Sequence, residues 1–407
     1  MKDNNKKAAM NLIILFGLVS LFGDIVYEGA RSVNGPYLKT LGVSAATVGF
    51  IAGLGEFIGY AIRLLSGYFA DKTRAYWLFT FIGYGMLVTV PMLSLTGVWQ
   101  VAALFIVLER FGKALRAPAR DTIVSQASKQ VGTGFGFGLS EFMDQLGALT
   151  GPLIFMALFM IIGNTQADIA KYQAGYRLFW VPFLLVMACV FFAYLRVPNP
   201  EKLEAALNKP PEPDKLSKVF WIYTAFTLVA TVGFVNFALL GYHFKAKGVL
   251  SDAQIPLFYA IAMAVDGVAA LAIGKAYDVV KHRSGNEKAG LLTLVAIPVL
   301  SAAIPLFAFS ANIALVAISV LLWGVVMGIH ETIMKSAIAD LTPMKKRGTG
   351  YGIFNTVYGV AMFIGAALMG VLYDVSLPLL IGVTIGIELL AVPIFVYMWY
   401  DIRSVRS

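Results

Sequence analysis

The chain reads as an all-α membrane protein of twelve transmembrane helices in two pseudo-symmetric six-helix bundles. Three observations predict this. First, 59% of the 407 residues are hydrophobic and only 14% are charged, where a soluble protein carries about 25% charged residues. Second, the apolar residues form continuous runs of the roughly 20 residues a bilayer-spanning helix needs. They lack the short alternating segments of a barrel. Third, motifs in the first half of the chain return in the same order in the second half.

The runs place the first six spans near 10–33, 47–69, 76–96, 98–118, 134–163 and 176–196. The second six fall near 218–242, 254–275, 289–310, 313–338, 349–372 and 377–400. Met1 to Lys7 is polar and basic, as a signal peptide begins. The apolar run behind it is long, carries Asp24 and Glu28, and reads as a retained first span. Residues 1–197 therefore form an N-terminal bundle, 198–217 a linker and 218–407 a C-terminal bundle. The linker is polar and holds Pro198, Pro200, Pro210, Pro211 and Pro213, a composition that favours extended, unpacked chain.

Lysine and arginine set the orientation. With both termini cytoplasmic, 23 of the 32 basic residues lie on the inner side. Only Arg31, Lys39, Lys171, Arg177, Lys245 and Lys247 lie outside, and Arg63, Arg110 and Lys113 lie within spans. Trp77, Trp99, Trp180, Trp221 and Trp399 fall near span ends, as interfacial anchors do. The setting expected is a cytoplasmic (inner) membrane, crossed many times.

Several classes are excluded. The net charge of +9 is dispersed through short loops, unlike the basic stripe of a nucleic-acid binder. Cys189 is the single cysteine and reads as a small buried hydrophobe. The His330-Glu331 pair would need a second histidine at 334 for a zinc hydrolase, and Met334 stands there. No phosphate-cradling Gly-x4-Gly-Lys-Ser/Thr loop occurs, so an ion gradient rather than ATP is the expected energy source, with no cofactor. No enzymatic role is expected, because an enzyme has no need of two equivalent halves.

The repeats are specific. Gly67-Tyr-Phe-Ala-Asp71 follows span 2, and Gly274-Lys-Ala-Tyr-Asp278 follows span 8. Gly132-Thr-Gly-Phe-Gly136 opens span 5, and Gly348-Thr-Gly-Tyr-Gly352 opens span 11. Six-plus-six repetition is a transporter architecture with its substrate site between repeats.

Charges inside spans are the sharpest signal, since each costs about 2.5–3.5 kcal/mol on insertion scales and so faces a partner or a water-filled path. Asp24, Glu28 and Arg31 share one face of span 1 with Tyr27 beside them. Glu56 and Arg63 share a face of span 2. Span 4 carries Glu109, Arg110, Lys113 and Arg116, span 5 carries Glu141 and Asp144, and span 8 carries Asp266. Together they outline a substrate and proton path, with structural ion pairing as the competing reading for each single residue. Glu28 with Arg31 and Asp24, and Glu141 or Asp144 near Arg110, are the candidate proton carriers. Glu388 in span 12 has no assigned role.

These residues carry a resemblance to the major facilitator superfamily. Gly67-x-x-x-Asp71-Lys72-Thr73-Arg74 resembles its loop signature, which implies a conformational latch at Gly67, Asp71 and Arg74, echoed at Gly274 and Asp278. Gly35-Pro-Tyr-Leu-Lys-Thr-Leu-Gly42 resembles its span 1 exit. Arg110 resembles its span 4 arginine, tied to proton coupling. Gly138, Gly147, Gly151 and Pro152 resemble the helix-packing motif of its drug/proton antiporter branch, with Phe155 and Met156 where that motif has two glycines. The resemblance implies proton-coupled export of a small organic solute by alternating access, by a monomer. Proton-coupled uptake of a small metabolite is the alternative it leaves open.

Overall fold

The computed structural model describes residues 2–131, 133–163, 167–199, 216–284, 288–342 and 347–404. Every long element among them is helical. The helices are α1 (Lys2–Thr40), α2 (Ala45–Thr73), α3 (Tyr76–Gly85), α4 (Thr89–Met92), α5 (Trp99–Val131), α6 (Thr133–Ile162), α7 (Asp168–Leu178) and α8 (Trp180–Arg196). They continue as α9 (Lys218–Val232), α10 (Phe237–Lys247), α11 (Gln254–Ser284), α12 (Ala296–Ala308), α13 (Ile313–Leu341), α14 (Arg347–Val375) and α15 (Leu377–Ser404). Without water in the hydrocarbon, each spanning segment must satisfy its backbone internally, and the helix does so.

Eleven helical stretches among the described residues are long and apolar enough to cross a membrane. Sequence reading expects twelve. The difference is α5, whose 33 residues suffice in length but carry Glu109, Arg110, Lys113, Arg116 and Arg120 along the middle. Several helices outrun their apolar cores. α1 reaches Thr40, α11 reaches Ser284, and the sixth of the expected spans begins at Asp168 rather than 176. Polar residues continue a helical ladder past the hydrocarbon edge wherever no turn residue stops it.

Local chemistry explains the breaks. Arg74 takes a left-handed φ of 54° just beyond α2, and Gly248 does the same at 62° beyond α10. Between α9 and α10 the chain leaves the helix at Gly233 and re-enters through Asn236, whose side chain accepts from Ala238 N at 2.8 Å. Trp323 Nε1 donates to the freed Val235 carbonyl at 2.9 Å, so a backbone group exposed by this break inside an otherwise continuous span has a side-chain partner.

The chain divides into two compact units. Unit 1 comprises 1–42, 58–209 and 252–260, and unit 2 comprises 43–57, 210–251 and 261–407. α2 is thus shared, its first turns belonging with the C-terminal helices. The expected linker lies almost wholly outside the described residues.

Unit 1 is organised by close packing of α1 on α6. A Cβ on Gly147 would overlap the Leu21 carbonyl at 2.5 Å, and one on Gly151 would overlap the Ile25 carbonyl. Pro152 follows inside α6. This is the small-residue contact that lets two membrane helices approach backbone to backbone. Gly138 lies in α6, but its surroundings fall outside the described residues, as do Gly132 and Gly348. The non-glycine at 155 has its own use, for the Phe155 ring packs edge-on against Tyr176 and tilted against Phe159 and Phe179.

Unit 2 uses the same device. Gly49, Gly53 and Gly370 pack the start of α2 on α14. Asp374 at the end of α14 accepts from the Ala46 and Ala45 amides at 2.8 and 3.3 Å. A carboxylate there satisfies orphan donors of the α2 N-terminus and complements its dipole.

Gly151→Val should lower the folded, monodisperse yield and destabilise the purified protein by more than the about 1–3 kcal/mol typical of overpacking. Gly386→Ala, at a glycine with nothing within 4 Å of a Cβ, should be neutral or slightly stabilising. Thermal unfolding followed by size-exclusion chromatography checks both.

Candidate functional site

Two charged stripes meet within unit 1. On α1 the stripe runs Ser20, Asp24, Tyr27, Glu28 and Arg31. On α5 it runs Glu109, Arg110, Lys113, Arg116 and Arg120, at the three- and four-residue spacing of one helical face. The helices run antiparallel, so Arg120 reaches Ser20 at 3.4 Å while Arg110 reaches Tyr27.

Tyr27 is the centre. Its hydroxyl accepts from Arg110 Nη1. Its ring lies 3.7 Å from Lys113 Nζ, 4.5 Å from the Arg110 guanidinium carbon and 5.9 Å from that of Arg31. Three cations therefore share one ring, and each such contact is worth up to about 2 kcal/mol when desolvated. The ring cannot neutralise them, and carboxylates do. Glu28, only 7% exposed, meets Arg31 at 3.6 Å and accepts from the Tyr259 hydroxyl. Glu109 pairs with Arg116 at 3.4 Å and Arg110 at 3.7 Å. Asp24 interacts electrostatically with Asp144, Lys113 and Glu28. A narrow pocket lined by Tyr27, Arg31, Asn34, Glu109 and Arg110 opens at the Arg31 end of the stripe, with space for about one water.

The remaining expected residues divide. Asp144 joins the cluster through Arg120, 3.9 Å away, rather than through Arg110. Glu141 is exposed on α6. Arg63 turns back onto its own helix, donating to the Gly59 carbonyl at 2.8 Å and lying 4.5 Å over Tyr60. Glu56 is buried but belongs to unit 2. Asp266 is buried in unit 2 where α11 crosses Gly328 of α13.

At the loop signature, Gly67 lets α2 approach Pro118 of α5, and Asp71 accepts from the Tyr76 hydroxyl at 3.1 Å. The contact Asp71 makes here therefore stays between α2 and α3, while Arg74 closes the turn. In the second copy, Gly274 faces Thr332 and Asp278 is exposed. Its neighbours do the bonding instead. Tyr277 and Lys281 both donate to Asp340 of α13, at 2.7 and 2.8 Å.

Three participants escape sequence reading. Arg120 was signalled, since it continues the α5 spacing four residues past Arg116. Asp340 carries only the weak signal of a carboxylate at a helix end. Tyr259 gives none, because a tyrosine in an apolar helix is ordinary.

Charges that pair with one another on spanning helices are what a path for a polar solute across a membrane requires. The chain belongs to the Major Facilitator Superfamily, whose family model matches residues 14–366. It is 39% identical over 405 residues to an uncharacterized protein of Mycobacterium tuberculosis (strain H37Rv), covering 98% of this chain and 94% of that protein. An uncharacterized MFS-type transporter of Methanocaldococcus jannaschii is 23% identical over 381 residues, covering 92% of this chain and 91% of the relative. The crystal structure of the nucleoside transporter NupG shares the fold, with a TM-score of 0.71 at 13% identity and coverage of 96% and 99%. Membership implies a small-molecule substrate and a membrane setting.

Arg110→Lys keeps the charge but loses the planar fork. It should reduce substrate flux in proteoliposomes at least about tenfold with normal expression. Tyr27→Leu, which strips the shared ring from three cations, should cost more, on the order of 30-fold for about 2 kcal/mol.

Proposed function

We propose that this protein is a secondary active transporter that exports a small organic solute in exchange for protons. The observation that carries this reading is the buried and half-buried set of three carboxylates and three cations around Tyr27. Transport needs charge that changes partners between states, because a ligand moves an equilibrium only through differential interaction with its two states. Glu28 suits that role. One oxygen faces Arg31 and the other the Tyr259 hydroxyl, so a proton on Glu28 would weaken both contacts together. Arg110 would respond through Tyr27.

In this reading α5 is a spanning helix, the fourth of twelve, and its charges line the solute path rather than lipid. The two six-helix repeats alternate access to a midplane site. The excess of basic residues in one set of loops puts both termini in the cytoplasm. The protein works as a monomer in a bacterial inner membrane, driven by the proton gradient without a cofactor. Asp71 and its loop form the latch of one conformation. The same cluster would serve uptake symport, and the experiment below separates the two.

In everted vesicles with an acid-inside gradient, substrate added outside should release protons, read as a rise in a pH-sensitive dye signal. Glu28→Gln should abolish the release while leaving expression intact. Release that survives in Glu28→Gln would remove this carboxylate from the coupling. Release only from vesicles preloaded with solute would identify symport. Asp71→Asn should shift the balance of inward- and outward-accessible states, measured by cysteine labelling from each side. Equal labelling in mutant and parent would exclude the latch.

A further inference from the structure

Unit 2 contains a carboxyl that the cluster around Tyr27 does not use. Glu388 lies on α15, within a membrane-spanning stretch, and is wholly buried. Neither of its side-chain oxygens has a hydrogen-bond partner among the described residues. The carboxyl packs directly on Gly233, where a Cβ would overlap it. Gly233 is the residue at which α9 ends and the break before α10 begins.

That position is electrostatically wrong for a bare anion. The C-terminal end of a helix carries partial negative charge on its last carbonyls. An ionised carboxylate placed there is repelled by the helix end, which attracts cations. Burial removes the water that would otherwise screen the repulsion.

Among the described residues, the elements packed on α15 bring no basic side chain to Glu388. α12 and the turn at 289–295 carry no ionisable side chain. On α9, Lys218 is paired with Asp401 and Tyr223 donates to the Met334 carbonyl. On α14, Tyr358 and Tyr373 engage His330 and His243, and Asp374 caps α2. His330 lies beyond Phe234 in the same break, its ring 5.0 Å from the phenyl ring and its Nε2 without a partner among the described residues.

The geometry points to a monovalent-cation site formed by the Glu388 carboxyl and the C-terminal end of α9 at the span break, taking a proton or a sodium ion. Broken membrane helices elsewhere bind coupling ions through the freed carbonyls of their half-helices. Here a single carboxylate balances a single positive charge, which fits a monovalent ion. The break at Gly233 gives the site a hinge, so loading the cation would stabilise one arrangement of α9, α10 and α15. This inference does not require the direction of transport or Glu28 to carry the proton.

The test uses purified full-length protein in lipid nanodiscs, with infrared difference spectra of the carboxyl region recorded while pH or sodium is varied at constant ionic strength. A protonated-carboxyl band that is absent in Glu388→Gln and unchanged in Glu28→Gln is expected. Loss of the band on adding sodium at fixed pH identifies sodium as the ligand. Loss only on raising pH identifies the proton. A Glu388 band that responds to neither would make the residue a locked structural acid and overturn the site, as would the absence of any band assignable to Glu388 together with no sodium-dependent thermal shift. Should Glu388→Gln fail to fold, Gly233→Ala provides the second arm. Its methyl would push the carboxyl off the helix end and should weaken the sodium or proton response at least about tenfold, whereas an unaltered response overturns the site.

Discussion

Charge compensation around Tyr27 is the constraint on which the N-terminal helices depend. Three cations approach one phenol ring inside a membrane protein, and each would be costly alone. Their burial is tolerated because Glu28, Glu109 and Asp24 lie within interaction range and because the ring contributes its own attraction. That arrangement holds only while α1 keeps its face turned to α5. The α1–α6 glycine contact fixes that rotation from the adjacent face, with Asp24 at the edge of both. Gly147 sits against Leu21 and Asp24, and Gly151 against Ile25 and Gly29. Packing of the small residues and pairing of the charges are therefore one problem with a common solution. Helix packing in lipid relies on close contact and polar pairing, since apolar side chains gain little by leaving apolar solvent.

Unit 2 solves a different problem. It buries few charges and carries its polarity in helix termini. Asn236 restarts a helix in mid-span, Trp323 satisfies a carbonyl the break exposes, and Asp374 caps the first turn of α2. Tyr277 and Lys281 converge on Asp340 near the end of α13. The two halves of the sequence are repeats in order and length, but they have diverged in what they bury. Buried ionic clusters belong to the first half, and isolated buried titratable groups such as Glu388 and His330 belong to the second.

The sequence alone determined the class. Apolar runs of bilayer length, loop charge asymmetry and recurring motifs impose helical spans because lipid offers the backbone no other partner. Asp24, Glu28, Arg31, Arg110 and Asp144 were legible as charges in need of partners for the same reason, since charge in an apolar run must be compensated. Gly147 and Gly151 were legible as packing residues because their spacing leaves one helical face bare. The tertiary structure alone decided which charge meets which. Arg63 folds back on its own helix, Asp144 takes Arg120, and Tyr259 reaches Glu28 from a helix more than two hundred residues away in sequence. Spacing along one helix specifies a shared face, but partners across helices depend on rotation and register, which packing sets. The same limit governed Glu388. Its charge was plain in the sequence, but its meaning rests on lying against the end of α9, a contact that arises only when α9 and α15 pack.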